Sequence, residues 1–176
     1  VFSNPNREKE QKMKVAIIMG SNSDWPKLEP AEAVLKEFGV EVEVCVASAH
    51  RTPDKVHEFA AGARGRGVEA ILSAAGLAAH LGGVVASYTT LPVIGIPIGG
   101  GPLNGMDALL STVQMPSGVP VAAMAIDGAK NAALFAVEIM AGKHPELIAK
   151  LDAYREKMRD EVAAKAAKLD AMRAGK

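Results

Sequence analysis

The chain has one cysteine, Cys45, among its 176 residues, so it can form no internal disulfide. A lone thiol suits a reducing compartment, and the expected location is the cytoplasm. Cys45 lies in an apolar run and reads as a small core hydrophobe rather than a nucleophile. Aromatic residues make up only 4% of the chain, too few to flank a flavin ring convincingly. The formal net charge is zero, whereas a general nucleic-acid binder needs a basic face to meet phosphates. No run of about 18 apolar residues is present, so no membrane-spanning helix is expected. The first 13 residues are polar, with no apolar signal core. The start at Val1 is what a processed or trimmed product would show. There is no HExxH or HxxxH, no cysteine cluster and no GxxxxGK[ST], so no metal set and no Walker loop is read. Gly99-Gly100-Gly101 does not make the GxGxxG of a dinucleotide site.

The remaining composition is that of a globular domain, 49% hydrophobic and 23% charged. Short apolar runs alternate with amphipathic stretches. Strands are expected at Lys14–Met19, Glu41–Val46, Val68–Ser73, Pro92–Ile98 and Val121–Ala125. Val42–Val46 reads as a buried strand. Helices are expected at Trp25–Phe38, from Asp54 to Ala63, from about Ala78, from about Asn104 to Val113, at Lys130–Ala141, and from Pro145 to about Ala171. Ser23 or Asp24 is placed to cap the first helix, and Gly39 to end it. Met106, Met115, Met124 and Met140 read as core filler.

This alternation predicts an α/β fold, a three-layer sandwich around a central parallel sheet with the flavodoxin-like order 2-1-3-4-5 and a long C-terminal helix. Residues 1–13 are expected to be a flexible arm, 14–144 the α/β domain, and 145–176 the last helix. Leu147, Leu151, Tyr154, Met158 and Val162 recur every three to four residues. The helix is longer than a small sheet is tall, so it is expected to pack on a neighbouring subunit.

Polar residues gather where strands hand over to helices: Gly20-Ser21-Asn22-Ser23-Asp24, Ser48-Ala49-His50-Arg51, and Ala75-Gly76-Leu77-Ala78-Ala79-His80. In parallel sheets such turns border the ligand edge. Backbone N–H groups at a helix start attract phosphate. Asp24 would repel a phosphate and suits sugar hydroxyls; equally, Ser23 and Asp24 read as simple helix caps. His50 reads as a base or as a structural imidazole. Arg51 reads as a phosphate anchor or as half of a salt bridge. His80 lines a pocket or packs, while His57 and His144 read as surface or capping groups. A base beside an anion anchor suggests proton chemistry on a small phosphorylated molecule.

Together these loops resemble the phosphoribosylaminoimidazole carboxylase catalytic-subunit family, PurE, of purine (IMP) biosynthesis. The matching stretches are MGSNSD (Met19–Asp24), SAHRTPD (Ser48–Asp54), AAGLAAHL (Ala74–Leu81), LPVIGIPI (Leu91–Ile98) and GMDALLSTVQMPSGVPVA (Gly105–Ala122). SAHRTP resembles the mutase type, which converts N5-carboxyaminoimidazole ribonucleotide to 4-carboxyaminoimidazole ribonucleotide. The direct carboxylase type usually carries Lys where Arg51 stands. The chain departs from the family at Leu77, where Gly is common, at Gly82, where Pro is frequent, and in Gly99–Pro102.

The resemblance implies His50 as the proton carrier. It implies Ser21, Ser23, Ser48 and Arg51 at the phosphate, Asp24 at the ribose, Ala75, Gly76, Ala78 and Ala79 as a small-residue cage beside the ring, Leu81 along the pocket, and His80 on the CO2 side. It also implies a homo-octamer, a nucleotide substrate, no need for ATP, biotin or metal, and coupling to an ATP-dependent carbamate-forming synthetase.

Overall fold

The computed structural model describes residues 12–175; the expected arm lies almost wholly outside them. The chain divides into two compact units, residues 1–137 and 138–176. The first holds five strands, β1 (Lys14–Met19), β2 (Glu41–Val46), β3 (Ala70–Gly76), β4 (Val93–Ile98) and β5 (Ala122–Ala123). All pair in parallel in the order β2-β1-β3-β4-β5. Between them run α1 (Trp25–Glu37), α2 (Pro53–Gly62), α3 (Leu81–Tyr88) and α4 (Met106–Val113), followed by α5 (Ala129–Ala141). The fold is the three-layer, flavodoxin-like sandwich expected from the alternation.

Both faces of the sheet are covered, which is why β1 and β4 are apolar at nearly every position. On one face Ala16, Ile18, Ile71 and Val93 pack with Val56 and Phe59 of α2 and Leu81 and Val85 of α3. Leu28, Ala31, Val34 and Leu35 are the buried stripe of α1, and Ala132, Ala133, Ala136 and Val137 are buried in α5.

Four local expectations are corrected. Strand β2 is not buried: it is the sheet's edge, and Val44 and Val46 are 44% and 42% exposed. Neither Ser23 nor Asp24 caps through its side chain; Ser21 caps a 3-10 turn at Asn22–Asp24 that leads into α1. Strand β3 starts later than expected and runs on to Gly76, and α3 starts at Leu81 rather than Ala78. Between them Leu77 adopts φ 54°, a left-handed conformation that breaks the chain direction before a helix can begin. Finally, Met106 is exposed on α4, although Met140 is in the core.

The second unit contains the end of α5 and the 29-residue helix α6 (Glu146–Ala174). Leu147 is buried and Leu151 and Tyr154 are half-buried, but Met158, Val162, Leu169 and Met172 are exposed. Arg155 donates to Glu138 at 2.7 Å within this unit.

Candidate active site

The carboxyl ends of β1, β2 and β3 are adjacent, and their loops enclose a cavity of about 580 Å³. It lies where the strand order reverses around β1 and β3, the usual ligand position of an open parallel sheet. Ser21, Ser23, Asp24, Ser48, His50, Arg51, Ala75, Gly76 and Leu81 all line it. His80 does not; it is exposed, and its Nδ1 lies 2.9 Å from Nε2 of His50. Ala79, expected as part of the small-residue cage, is buried and contributes nothing to the lining.

The central turn is built rigidly. Thr52 donates to the carbonyl of Ser48 from its backbone N–H at 2.9 Å and its hydroxyl at 3.2 Å. The same hydroxyl accepts from Ser48 N–H at 2.9 Å. Thr52 therefore closes a loop that holds His50 and Arg51 outward. Ser48 Oγ accepts from Arg51 N–H at 3.3 Å and from its Nε at 3.4 Å, and Arg51 Nη2 donates to the Gly20 carbonyl at 3.1 Å. No carboxylate pairs with Arg51 among the described residues, so its charge stays available to an anion. The salt-bridge reading finds no carboxylate for Arg51 among the described residues. Nη1 points its two donors at no protein acceptor among those residues, as an anion anchor requires.

The first loop is arranged similarly. Ser21 Oγ accepts from Ser23 N–H at 3.2 Å and lies 2.8 Å from Ser23 Oγ. Two hydroxyls and Asp24, the residue before α1, thus line the cavity from the β1 side. Partial burial pushes the Asp24 carboxyl above its ordinary range. A hydrogen bond from the Ser21 region and the charge of Lys27 pull the other way, and Asp127 adds to the rise.

His50 and His80 meet edge to face, with ring centroids 5.0 Å apart. One facing nitrogen must donate and the other accept, so the pair fixes the ring orientation of His50 and links its Nε2 to a second proton-exchanging group. Of the other two histidines, His57 is exposed, its ring 4.5 Å from that of Tyr88, and His144 lies 3.8 Å from Glu146 at the start of α6. No group of three His, Cys, Asp or Glu side chains that could hold a metal exists among the described residues. Among the same residues no helix is long and apolar enough to cross a membrane.

Ala78, expected in the small-residue cage, does line the cavity, and other walls were not assigned from sequence. Gly20, Ala49, Leu77, Ile98 and Gly99–Gly101 also line the cavity. The signal for Ile98 to Gly101 was available: β4 neighbours β3 in the expected order, so its terminal loop borders the same edge. Leu77 is 56% exposed over the cavity. An added Cβ on Gly101 would lie 2.6 Å from Leu77 Cδ2. The bulk at 77 is therefore accommodated by the absence of a side chain at 101.

A cleft with hydroxyls, a guanidinium without a carboxylate partner and a paired imidazole beside apolar walls is chemically suited to an anionic small molecule. A family model described as AIR carboxylase matches residues 14–161, and the chain belongs to that family. It is 53% identical over 164 residues to the N5-carboxyaminoimidazole ribonucleotide mutase of Pyrococcus horikoshii, covering 93% of each chain. It is 52% identical to the protein of that name from Thermotoga maritima, covering 89% of this chain and 92% of the other. The crystal structure of Treponema denticola PurE superposes with a TM-score of 0.79 at 28% identity, covering 90% of this chain and 99% of that one.

Proposed function

We infer that this chain is an N5-carboxyaminoimidazole ribonucleotide mutase of purine biosynthesis, an isomerase that moves a carboxyl group from the exocyclic nitrogen to C4 of the imidazole. The observation that carries the reading is the turn presenting His50 beside an Arg51 with no carboxylate partner, at the mouth of one cavity. The names and high identity of the relatives supply the substrate.

In the proposed mechanism the carbamate C–N bond breaks, releasing CO2, and His50 gives a proton to the nitrogen. The enamine carbon C4 then attacks the same CO2. His50 takes the proton from C4 and restores the aromatic ring. Atoms balance without a co-reactant, since the carboxyl group and one proton only change place. A single imidazole serves both steps because donor and acceptor roles alternate. The main contribution of the cavity is to keep CO2 near C4, where proximity can lower the barrier by several kcal/mol, of the order of 7–11 in well-aligned systems. Ala49, Ala75, Gly76, Ala78 and Ile98 offer small apolar walls for this. Ser21, Ser23, Ser48 and Arg51 are assigned to the phosphate and Asp24 to the ribose. Leu81 adds to the apolar lining. His80 is assigned to orienting His50 on the CO2 side.

The working form is proposed to be an octamer in the cytoplasm, fed by an ATP-dependent synthetase that makes the carbamate. The exposed apolar side chains of α6 support an assembly.

The test offers the N5-carbamate and aminoimidazole ribonucleotide separately, at low and high bicarbonate, and follows 4-carboxyaminoimidazole ribonucleotide by ultraviolet absorbance. Turnover of the carbamate without bicarbonate is expected. Turnover of aminoimidazole ribonucleotide alone, rising with CO2, would make the enzyme a direct carboxylase. His50→Asn should bind nucleotide and lose turnover.

A further inference from the structure

Lys27 and Asp127 lie 100 residues apart in the chain, belong to no motif singled out above, and neither lines the cavity. They nevertheless hold one of its walls. Asp127 Oδ1 accepts the N–H of Gly99 at 2.8 Å, and Lys27 Nζ donates to the Gly99 carbonyl at 2.5 Å. Lys27 Nζ and Asp127 Oδ2, 2.9 Å apart, close the ring. Both backbone groups of Gly99 are thus gripped by charged side chains, the stronger class of hydrogen bond.

The surroundings leave no room for a side chain at Gly99. An added Cβ would lie 2.8 Å from Asp127 Oδ2 and 3.2 Å from Ile126 Cγ2. From below, an added Cβ on Gly105 (φ 88°) would lie 2.8 Å from Gly99 Cα. Asp127 is itself held at φ 56°, with its N–H on the Pro97 carbonyl at 2.9 Å and its own carbonyl taking the N–H of Ala129 at 2.9 Å. Aspartate tolerates this left-handed conformation better than most residues. A strained residue kept in place by several bonds marks a position whose geometry is used.

The loop needs such support. Gly100 and Gly101, at φ 149° and 64°, have the wide backbone freedom of glycine and no side chains to pack. Both line the cavity, and Gly101 lies against the Leu77 side chain. An unanchored run of three glycines would sample many shapes, and ordering it on each binding event would weaken binding.

We propose that Lys27 and Asp127 are positioning residues that hold Gly99–Gly101 as a preformed wall of the nucleotide cavity. The proposal takes its substrate from the mutase reading above. The pair acts through the backbone of Gly99 and touches no reacting atom. Lys27 also lies on α1, the helix that begins beside Asp24, so the pair ties the wall after β4 to the wall after β1.

The experiment compares Lys27→Met, Asp127→Ala and the double variant with the conservative Lys27→Arg and Asp127→Asn. Amide hydrogen exchange at Gly99–Gly101 and steady-state kinetics with the N5-carbamate are both read. Exchange at Gly99 should accelerate in the disruptive variants, and KM should rise about 10-fold or more with a smaller change in kcat. The double variant should be little worse than the worse single one, because both bonds hold the same residue. Asp127→Asn, which keeps an acceptor and tolerates the left-handed backbone, should recover part of the loss. Unchanged protection at Gly99, or a loop that opens with KM unaltered, would overturn the proposal. Should the wild-type protein leave the carbamate unconverted, the mutase reading fails separately. Gly99 exchange and calorimetric affinity for aminoimidazole ribonucleotide then decide the role of the pair.

Discussion

Replacing Gly95 by alanine puts a methyl group where the sandwich has no space. Gly95 sits within β4, paired with Ser73 of β3 and Ala123 of β5. An ideal Cβ would lie 2.3 Å from Thr112 Cγ2 and 3.1 Å from Val121 Cγ1. Thr112 cannot swing aside freely. It is buried, and its hydroxyl donates to the Ala108 carbonyl at 2.8 Å. Overpacking of this kind costs about 1–3 kcal/mol, and the upper end applies where strand and side chain are both pinned. Lower entropy of the unfolded chain returns about 0.4–1 kcal/mol. The net loss is about 2 kcal/mol, or about 4–8 °C in Tm for a chain of this size. Thermal melts at one fixed protein concentration measure it, since assembly would make Tm concentration-dependent. Thr112→Ser removes the offending methyl, keeps the hydroxyl, and alone should cost about 1 kcal/mol. The double variant should lie above the sum of the singles by about 1 kcal/mol. Activity should fall together with Tm, because Gly105, the N-cap of α4, lies against Gly99. A Gly95→Ala melt indistinguishable from wild type, or strictly additive singles, would refute the packing argument.

Three further outcomes are expected. His80→Ala should lower kcat about 2- to 10-fold with KM held, the worth of one ordinary hydrogen bond to His50; an unaltered kcat would make His80 a bystander. KM should rise on acidification in a window that begins above the ordinary carboxylate range, because burial raises the Asp24 pKa and the ionised form is the one that accepts from ribose hydroxyls. The same shift means that ionising Asp24 opposes folding: its stabilising contribution is complete below the ordinary carboxylate value and is lost as pH rises through the raised one. Asp24→Asn should flatten the KM profile, and a profile that persists would assign the window elsewhere. Truncation after Gly142 should yield smaller species in light scattering; an unchanged mass would exclude α6 from the assembly.

Periodicity and loop chemistry carried most of the fold into view. KVAIIM at Lys14–Met19 is apolar at consecutive positions because both faces of β1 are covered, and a run of that length between turn residues has few other solutions. The strand-to-helix turns were legible for the same reason, and with them Ser21, Asp24, Ser48, His50 and Arg51. The resemblance of the motifs then supplied a chemistry that no spacing could have supplied. Strand β2 was misread because its burial depends on being an edge strand, which is a property of sheet order and not of the composition of EVEVCV.

What the sequence by itself determined is local: which stretches are strands or helices, which turns carry polar groups, and, through its motifs, the family. Only the tertiary structure decided which of those groups meet. His50 and His80 are brought within 2.9 Å, and Lys27 reaches Asp127 across 100 residues. Such pairs arise because loops distant in the chain share one edge of a sheet. Their distances are set by packing and register, neither of which leaves a periodic mark on the residues themselves.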